Sequence, residues 1–369
     1  MGRLRGSAGM RLGLMIYGGL DTPTGGYLYD RMLVRHLRSR GDNVEVISIP
    51  SRPPVAGLID NFDPRLLRRM LAIDADAILQ DELSHPSLCL LNERFRRSSV
   101  VPIISIVHHL TCLADRCPSN AARHRLLERR YLRSADGFIF NSWATRASVR
   151  SLVLGAEGAV AHPGKEHVSP AEPRPPRTGP LRALYLGNIL PHKGLDVLVR
   201  AAASLPRSSL TLDVVGTPLD PEYMLSVGRQ VASSGLQETV RFHGHLSDRD
   251  RDEIIRSSDV LVLPSYHEGY GLVIVEAMAA GLPVIAPASG GAREIVSHGR
   301  EGFLARGGDA EGIASSLEAL LDPAIRAKMS AQARRRYDAL PEWTTEMERA
   351  RAYILGIVQG RDIIIAGES

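Results

Sequence analysis

Short runs of Val, Ile and Leu alternate along the chain with stretches in which apolar residues recur every three to four positions. In the first half the runs fall at 12–17, 44–49, 77–80, 103–107 and 137–140, with helical patterns between them, as at 27–40 and 123–134. In the second half they fall at 181–187, 210–216, 239–244, 259–264 and 283–286, with helical patterns near 195–205, 222–234 and 248–257. Continuous apolar runs predict strands buried on both faces, hence parallel sheets covered by helices. The segment 166–180 (EHVSPAEPRPPRTGP) holds five prolines and no apolar period, so it reads as a linker. The pattern predicts an α/β chain with a first doubly wound domain at 1–165, the linker at 166–180 and a second doubly wound domain at 181–341. A last helical pattern at 342–359 follows Pro341, and 342–369 is expected to return to the first domain with a short tail. Ligands of such sheets bind beyond the carboxyl ends of the strands, so two facing domains would place a site in the cleft between them.

Composition narrows the class. Of 369 residues 44% are hydrophobic, enough for two cores, but only 5% are aromatic, so those cores are built from Leu, Val, Ile and Ala. Three cysteines, Cys89, Cys112 and Cys117, make no full disulfide framework and suit a reducing compartment. No apolar run approaches the roughly 20 residues that span a bilayer. The basic start MGRLRGSAGM lacks a signal peptide's apolar core, and Met10 competes with Met1 as the natural first residue. A cytoplasmic location is expected. The net charge of +4 and pI of about 9.1 suit phosphate-bearing substrates or an anionic membrane surface. No recognition helix or RNA-binding motif accompanies that charge, so nucleic acid is not an expected partner.

The stretch 264–291, PSYHEGYGLVIVEAMAAGLPVIAPASGG, carries the chemistry. It reads as the end of a buried strand, a loop of small and polar residues, and a helix starting near Leu272. Gly269 and Gly271 let the backbone approach a ligand, and the amides of Tyr270, Gly271 and Leu272 at a helix start suit a diphosphate. Glu268 lies on the loop. Glu276 lies about one turn into the helix, on the face of Leu272, where a carboxylate can accept from both ribose hydroxyls.

A His-Glu-Gly setting for the first glutamate, seven intervening residues, and Glu-Ala-Met-Ala-Ala-Gly-x-Pro-Val around the second resemble the signature of GT4-family retaining glycosyltransferases (glycosyltransferase group 1). The resemblance extends over nearly the whole chain and implies the GT-B fold, two Rossmann-like domains facing a cleft. The segment 184–194 (LYLGNILPHKG) resembles the family's first strand, loop and helix of the donor-side domain, where an Arg and a Lys usually neutralise the donor diphosphate. Lys193 matches the Lys. Asn188 stands where the Arg is usual and supplies no charge or bidentate fork, so His192 or Arg293 is considered as a helper. The glycine-rich turn 17–26 matches neither a dinucleotide fingerprint nor a Walker A loop. The resemblance places its Gly25 and Gly26 against the donor phosphates and acceptor. It likewise places His108, at the end of the 103–107 strand, on the donor sugar, in preference to His109.

The implied activity is transfer of a sugar from a nucleoside-diphosphate sugar to an acceptor hydroxyl, with retention, by a front-face route that uses no metal and no cofactor. Glu268, His108 and Lys193 are the catalytic candidates. Glu276, Gly269, Tyr270, Gly271, Leu272, Asn188, Gly25 and Gly26 are the donor-binding ones. The acceptor is expected to be a glycan, a lipid-linked sugar or a small metabolite. A sugar-nucleotide epimerase and a non-catalytic subunit of the same fold are the rival readings. Two patterns are set aside: Asp74-Ala-Asp76 precedes a strand and reads as a cap, and His108, His109, Cys112, Cys117 and His124 match no zinc spacing. The basic helix 123–133 reads first as a solvated face, with peripheral membrane contact at the inner face held open.

Overall fold

The computed structural model describes residues 9–360 apart from 53, 172–176 and 178. The alternative start at Met1, the middle of the expected linker and the tail after 360 thus lie outside the described residues. The chain forms two compact units. The first comprises the residues up to Leu113, Cys117–Gly164 and those from Pro341 onward; the second comprises Ala114–Arg116 and Lys165–Leu340.

The first unit holds a six-stranded sheet made of β1 (Arg11–Tyr17), β2 (Asn43–Ile49), β3 (Ala77–Asp81), β4 (Ile103–Val107), β5 (Gly137–Phe140) and β6 (Gly158–Val160), in the order β2-β1-β3-β4-β5-β6. Every pairing is parallel. β3, β4 and β5 are buried throughout, whereas the edge strand β2 mixes buried and exposed positions. That contrast follows from helices covering both faces of the middle strands, while an edge keeps charged side chains in water. The helix Trp343–Val358 belongs to this unit despite its place in the sequence. Its Trp343 is 2% exposed. A Cβ on Gly164 would lie 2.0 Å from the Trp343 nitrogen, and one on Gly137 would lie 2.4 Å from Ile357 Cδ1. Glycine at both positions therefore admits the helix. Polar contacts then fix its register: Arg351 forks onto Asp42 at 2.7 and 3.1 Å, and Tyr353 donates to the Glu157 carbonyl at 3.0 Å.

The second unit repeats the plan with β7 (Leu181–Leu186), β8 (Leu210–Val215), β9 (Val240–Gly244), β10 (Val260–Val262), β11 (Val284–Pro287) and β12 (Gly302–Ala305), in the order β12-β11-β10-β7-β8-β9. All its pairings are parallel too. Residues of β7 divide by parity. Leu181, Ala183 and Tyr185 enter one core, and Leu184 and Leu186 enter the other. The short sixth strands β6 and β12 were absent from the sequence expectation, as were the helices Ala310–Ala319 and Pro323–Asp338. In each unit the strand order reverses once, between β1 and β3 and between β7 and β10. In sheets of this kind ligands bind beyond the carboxyl ends of the strands at such a reversal.

Candidate active site

In the second unit, the loops after β7 and β10 flank the reversal point and touch. The first passes through a single turn, Pro191–Lys193, and ends at Gly194 in the left-handed region with φ +69°. A Cβ at Gly194 would stand 2.2 Å from the Pro264 carbonyl oxygen, so only glycine lets the two loops meet. The amide of Tyr266 then donates to the His192 carbonyl at 2.9 Å. This register brings Lys193 Nζ to 2.6 Å from Glu268 Oε1, which also accepts from Ser265 Oγ at 2.7 Å. Glu268 is pinned by its backbone as well. Its carbonyl accepts from Gly291 N at 2.9 Å, and it pairs as an isolated bridge with Gly290.

The helix Leu272–Ala279 begins at Gly271, whose φ of +98° again requires glycine. Tyr270 turns its ring into the core at 4% exposure, so it can meet a ligand only through its main chain. Gly269 is buried and Leu272 half-buried. Glu276 is 8% exposed and keeps different neighbours from Glu268. His167 Nε2 lies 3.9 Å from Glu276 Oε1 and Arg251 Nε lies 4.0 Å from Oε2. Glu276 Oε2 has no hydrogen-bond partner among the described residues. Burial raises this carboxyl to about 6, against the pull of Arg251 and with the help of Asp252 and Asp248. A buried carboxylate with an unfilled acceptor is prepared to receive a hydroxyl.

Asn188 is half-buried, and the structure uses its carbonyl, which accepts from Tyr185 at 3.0 Å. Burial and the adjacent Lys193 charge push His192 down to about 4, against Glu268. It is therefore neutral at physiological pH and cannot supply the missing Arg charge. Arg293 is exposed.

In the first unit, Gly25 and Gly26 open the helix Gly25–Ser39 after β1. A Cβ on Gly26 would lie 3.2 Å from His108 Cδ2, so this turn packs directly on the histidine ring. His108 follows β4 and is held at several points. Its amide donates to Glu82 Oε2 at 2.7 Å, its carbonyl accepts from Asn141 at 2.8 Å, and its Nε2 lies 3.2 Å from Asp30 Oδ1 and 4.0 Å from Asp81 Oδ1. Burial alone would lower the ring's pKa, but the charge and hydrogen bond of Asp30, with Asp81 and Glu82 nearby, carry it up to about 10. His109 is more exposed, with Nδ1 3.8 Å from Glu82 Oε1. The sequence reading did not find Asp30, Asp81, Glu82, His167 or Arg251. Only proximity in space links them to the residues it named.

The patterns set aside have ordinary neighbours. Asp74 and Asp76 both pair with Arg11, and Asp76 accepts from the Arg11 amide at 2.8 Å. Cys89, Cys112 and Cys117 are free thiols. Burial and Glu128 raise the Cys112 thiol to about 12. The basic helix, Pro118–Leu132, leaves Leu126 71% exposed and pairs Arg130 with Glu93 at 2.8 Å. Among the described residues no helix is long and apolar enough to cross a membrane.

The family model described as glycosyl transferases group 1 matches residues 171–336. A D-inositol 3-phosphate glycosyltransferase of Streptomyces scabiei is 32% identical over 295 residues, which are 72% of this chain and 66% of that protein, just under two thirds of its length. Among solved structures, a sucrose-phosphate synthase from Thermosynechococcus elongatus superposes with a TM-score of 0.80 at 22% identity, over 95% of this chain and 100% of that one. The Anabaena protein HepE, solved in complex with UDP-glucose, superposes with a TM-score of 0.75 at 20% identity over 94% and 100%. At these identities the structures establish the fold, which is GT-B.

Proposed function

From the chain's membership of the glycosyl transferases group 1 family, we propose that it transfers a sugar from a nucleoside-diphosphate sugar to an acceptor hydroxyl with retention of configuration. One observation carries the reading. Lys193 and Glu268 meet at 2.6 Å on the two loops that flank the strand-order reversal of the second unit. A cation there can exchange its carboxylate partner for a diphosphate, freeing Glu268 to orient the sugar hydroxyls. Lys193 and the start of the helix Leu272–Ala279 supply positive potential to the leaving group, as an oxyanion site does. Glu276 accepts the ribose hydroxyls, and the first unit offers His108 and the Gly25-Gly26 turn to the sugar and the acceptor. With Asn188 in place of a charged residue, Lys193 carries more of the leaving-group charge here than the usual Arg-Lys pair would require of it. The departing phosphate takes the acceptor's proton in a front-face reaction, so no side-chain nucleophile, metal or cofactor is invoked. The acceptor is a polyol phosphate, a glycan or a lipid-linked sugar, and the basic helix Pro118–Leu132 is a candidate for peripheral contact with anionic lipid at the inner membrane face.

The test pairs binding with turnover. UDP-, GDP- and ADP-sugars are screened for thermal stabilisation, and the best binder is assayed for release of its nucleoside diphosphate, with the anomer of the product read by NMR. Glu268→Ala should reduce turnover about 100-fold, the scale expected when a positioning contact is lost, while donor binding changes little. Unaltered turnover in that variant, an inverted product, or an epimerised donor would each defeat the assignment.

A further inference from the structure

The surroundings of His108 are built to set its charge and its orientation together. Nε2 points inward to Asp30 at 3.2 Å and Asp81 at 4.0 Å, and both carboxylates are fully buried. Tyr29 meets the ring edge-on at a centroid distance of 5.3 Å. A flip of the ring would set a C–H against Asp30, whose Oδ2 already lacks a hydrogen-bond partner, as does Asp81 Oδ2. The ring's other nitrogen, Nδ1, has no protein partner among the described residues and is the one left for substrate. A neutral ring donating from Nε2 would offer Nδ1 as an acceptor, whereas the cation offers it as a donor.

Building on the transferase reading above, we propose that Asp30 is a positioning residue. It anchors Nε2 in the interior and keeps His108 cationic, so that Nδ1–H is donated to an oxygen of the transferred sugar. Other titratable groups around the ring come from every packed element. Asp81, at the end of β3, is raised to about 7 by burial and by Asp30. Glu82 beyond it is raised well above the carboxylate range by burial, with Asp81 adding to the effect. On the helix Gly25–Ser39, burial lifts Tyr27 to about 12 and raises Tyr29 well above the ordinary tyrosine value, so both stay neutral. Burial likewise raises Glu128 on the helix Pro118–Leu132. Asp30 is the carboxylate in hydrogen-bond contact with the ring. The geometry leaves one competitor for the proton, because ligand atoms of Asp30, Asp81 and His108 lie within 4.8 Å of one another, a spacing a divalent ion could also occupy.

The test uses the full chain and Asp30→Asn, which keeps the shape and removes the charge. The His108 imidazole nitrogens are followed by NMR across the pH range, and kcat and KM for the nucleotide sugar are measured in parallel. In the parent, His108 should stay cationic through about pH 9; in Asp30→Asn its titration should fall towards the ordinary histidine range near 6.5. The variant's kcat should drop about tenfold at pH 8 and recover as the pH is lowered, with KM changing far less. A parent His108 that titrates near its ordinary value overturns the proposal, as does an Asp30→Asn pH profile identical to the parent's. So does stoichiometric zinc in the purified protein whose removal by a chelator abolishes turnover. If Asp30→Asn does not fold, the parent titration decides alone. Because that titration needs no turnover, an inactive parent counts against the assigned reaction, and a normally titrating His108 against the pair.

Discussion

Replacing Glu276 by Gln removes a charge that the fold holds at a cost. The side chain is 8% exposed, and the nearest basic side chains, His167 and Arg251 at 3.9 and 4.0 Å, stand beyond good hydrogen-bond distance. Burial lifts its carboxyl from 4.5 to about 6. Since a tenfold change in acidity is 1.36 kcal/mol, ionised Glu276 costs the folded chain about 2 kcal/mol above pH 6. The sign follows from proton binding. The folded state holds this proton more tightly than the unfolded state, so the cost is absent below about pH 4.5. It grows as the pH rises through about 6 and then stays constant. Glu276→Gln should therefore stabilise the second unit by up to about 2 kcal/mol at pH 8 and by almost nothing at pH 4.5. The same change should weaken nucleotide-sugar binding about tenfold or more, because hydrogen bonds to a charged acceptor are lost. Both tryptophans lie in the first unit, so the assay is hydrogen exchange of peptides from 181–340 under increasing urea, beside calorimetric titration with the nucleotide sugar. A variant no more stable than the parent at pH 8 would refute the reasoning, since burial of the charge would then not be the governing cost.

Two further substitutions test the scaffold. Gly290 has φ +73°, and a Cβ there would lie 1.9 Å from the Glu268 carbonyl oxygen. Gly290→Ala should destabilise the second unit by about 1–3 kcal/mol and depress turnover more than donor binding, because the Glu268 loop must move. Melting curves and donor titrations of the variant check this. Trp343→Ala should cost the first unit about 3–5 kcal/mol by emptying a fully enclosed site. The fluorescence of Trp143, the remaining tryptophan, should report earlier unfolding, with exchange in 181–340 unchanged.

Much of the fold was written in local patterns. Apolar runs at 12–17, 103–107 and 181–187 lie within or overlap β1, β4 and β7, because a strand covered on both faces must be apolar throughout. β6 (GAV) and β12 (GFLA) escaped notice because each opens on glycine and holds at most one β-branched residue, so neither stands out as an apolar Val/Ile run. At the candidate site, Glu268 and the glycines around it stood out because loop chemistry is local, whereas Lys193 was named from the family resemblance. A glycine forced to positive φ, or facing a carbonyl at 2.2 Å, leaves its mark at one position.

The partners of the ionisable groups were not legible. Asp30 and Asp81 reach His108 from separate segments, and His167 reaches Glu276 from a stretch that read only as a linker. Sequence by itself determined where strands, turns and carboxylates fall, since those follow from side-chain period and backbone sterics over a few residues. Tertiary structure alone decided which of those groups are buried, which are charged and what they face. Desolvation and Coulomb interactions depend on distances through space, and residues far apart in the chain set those distances.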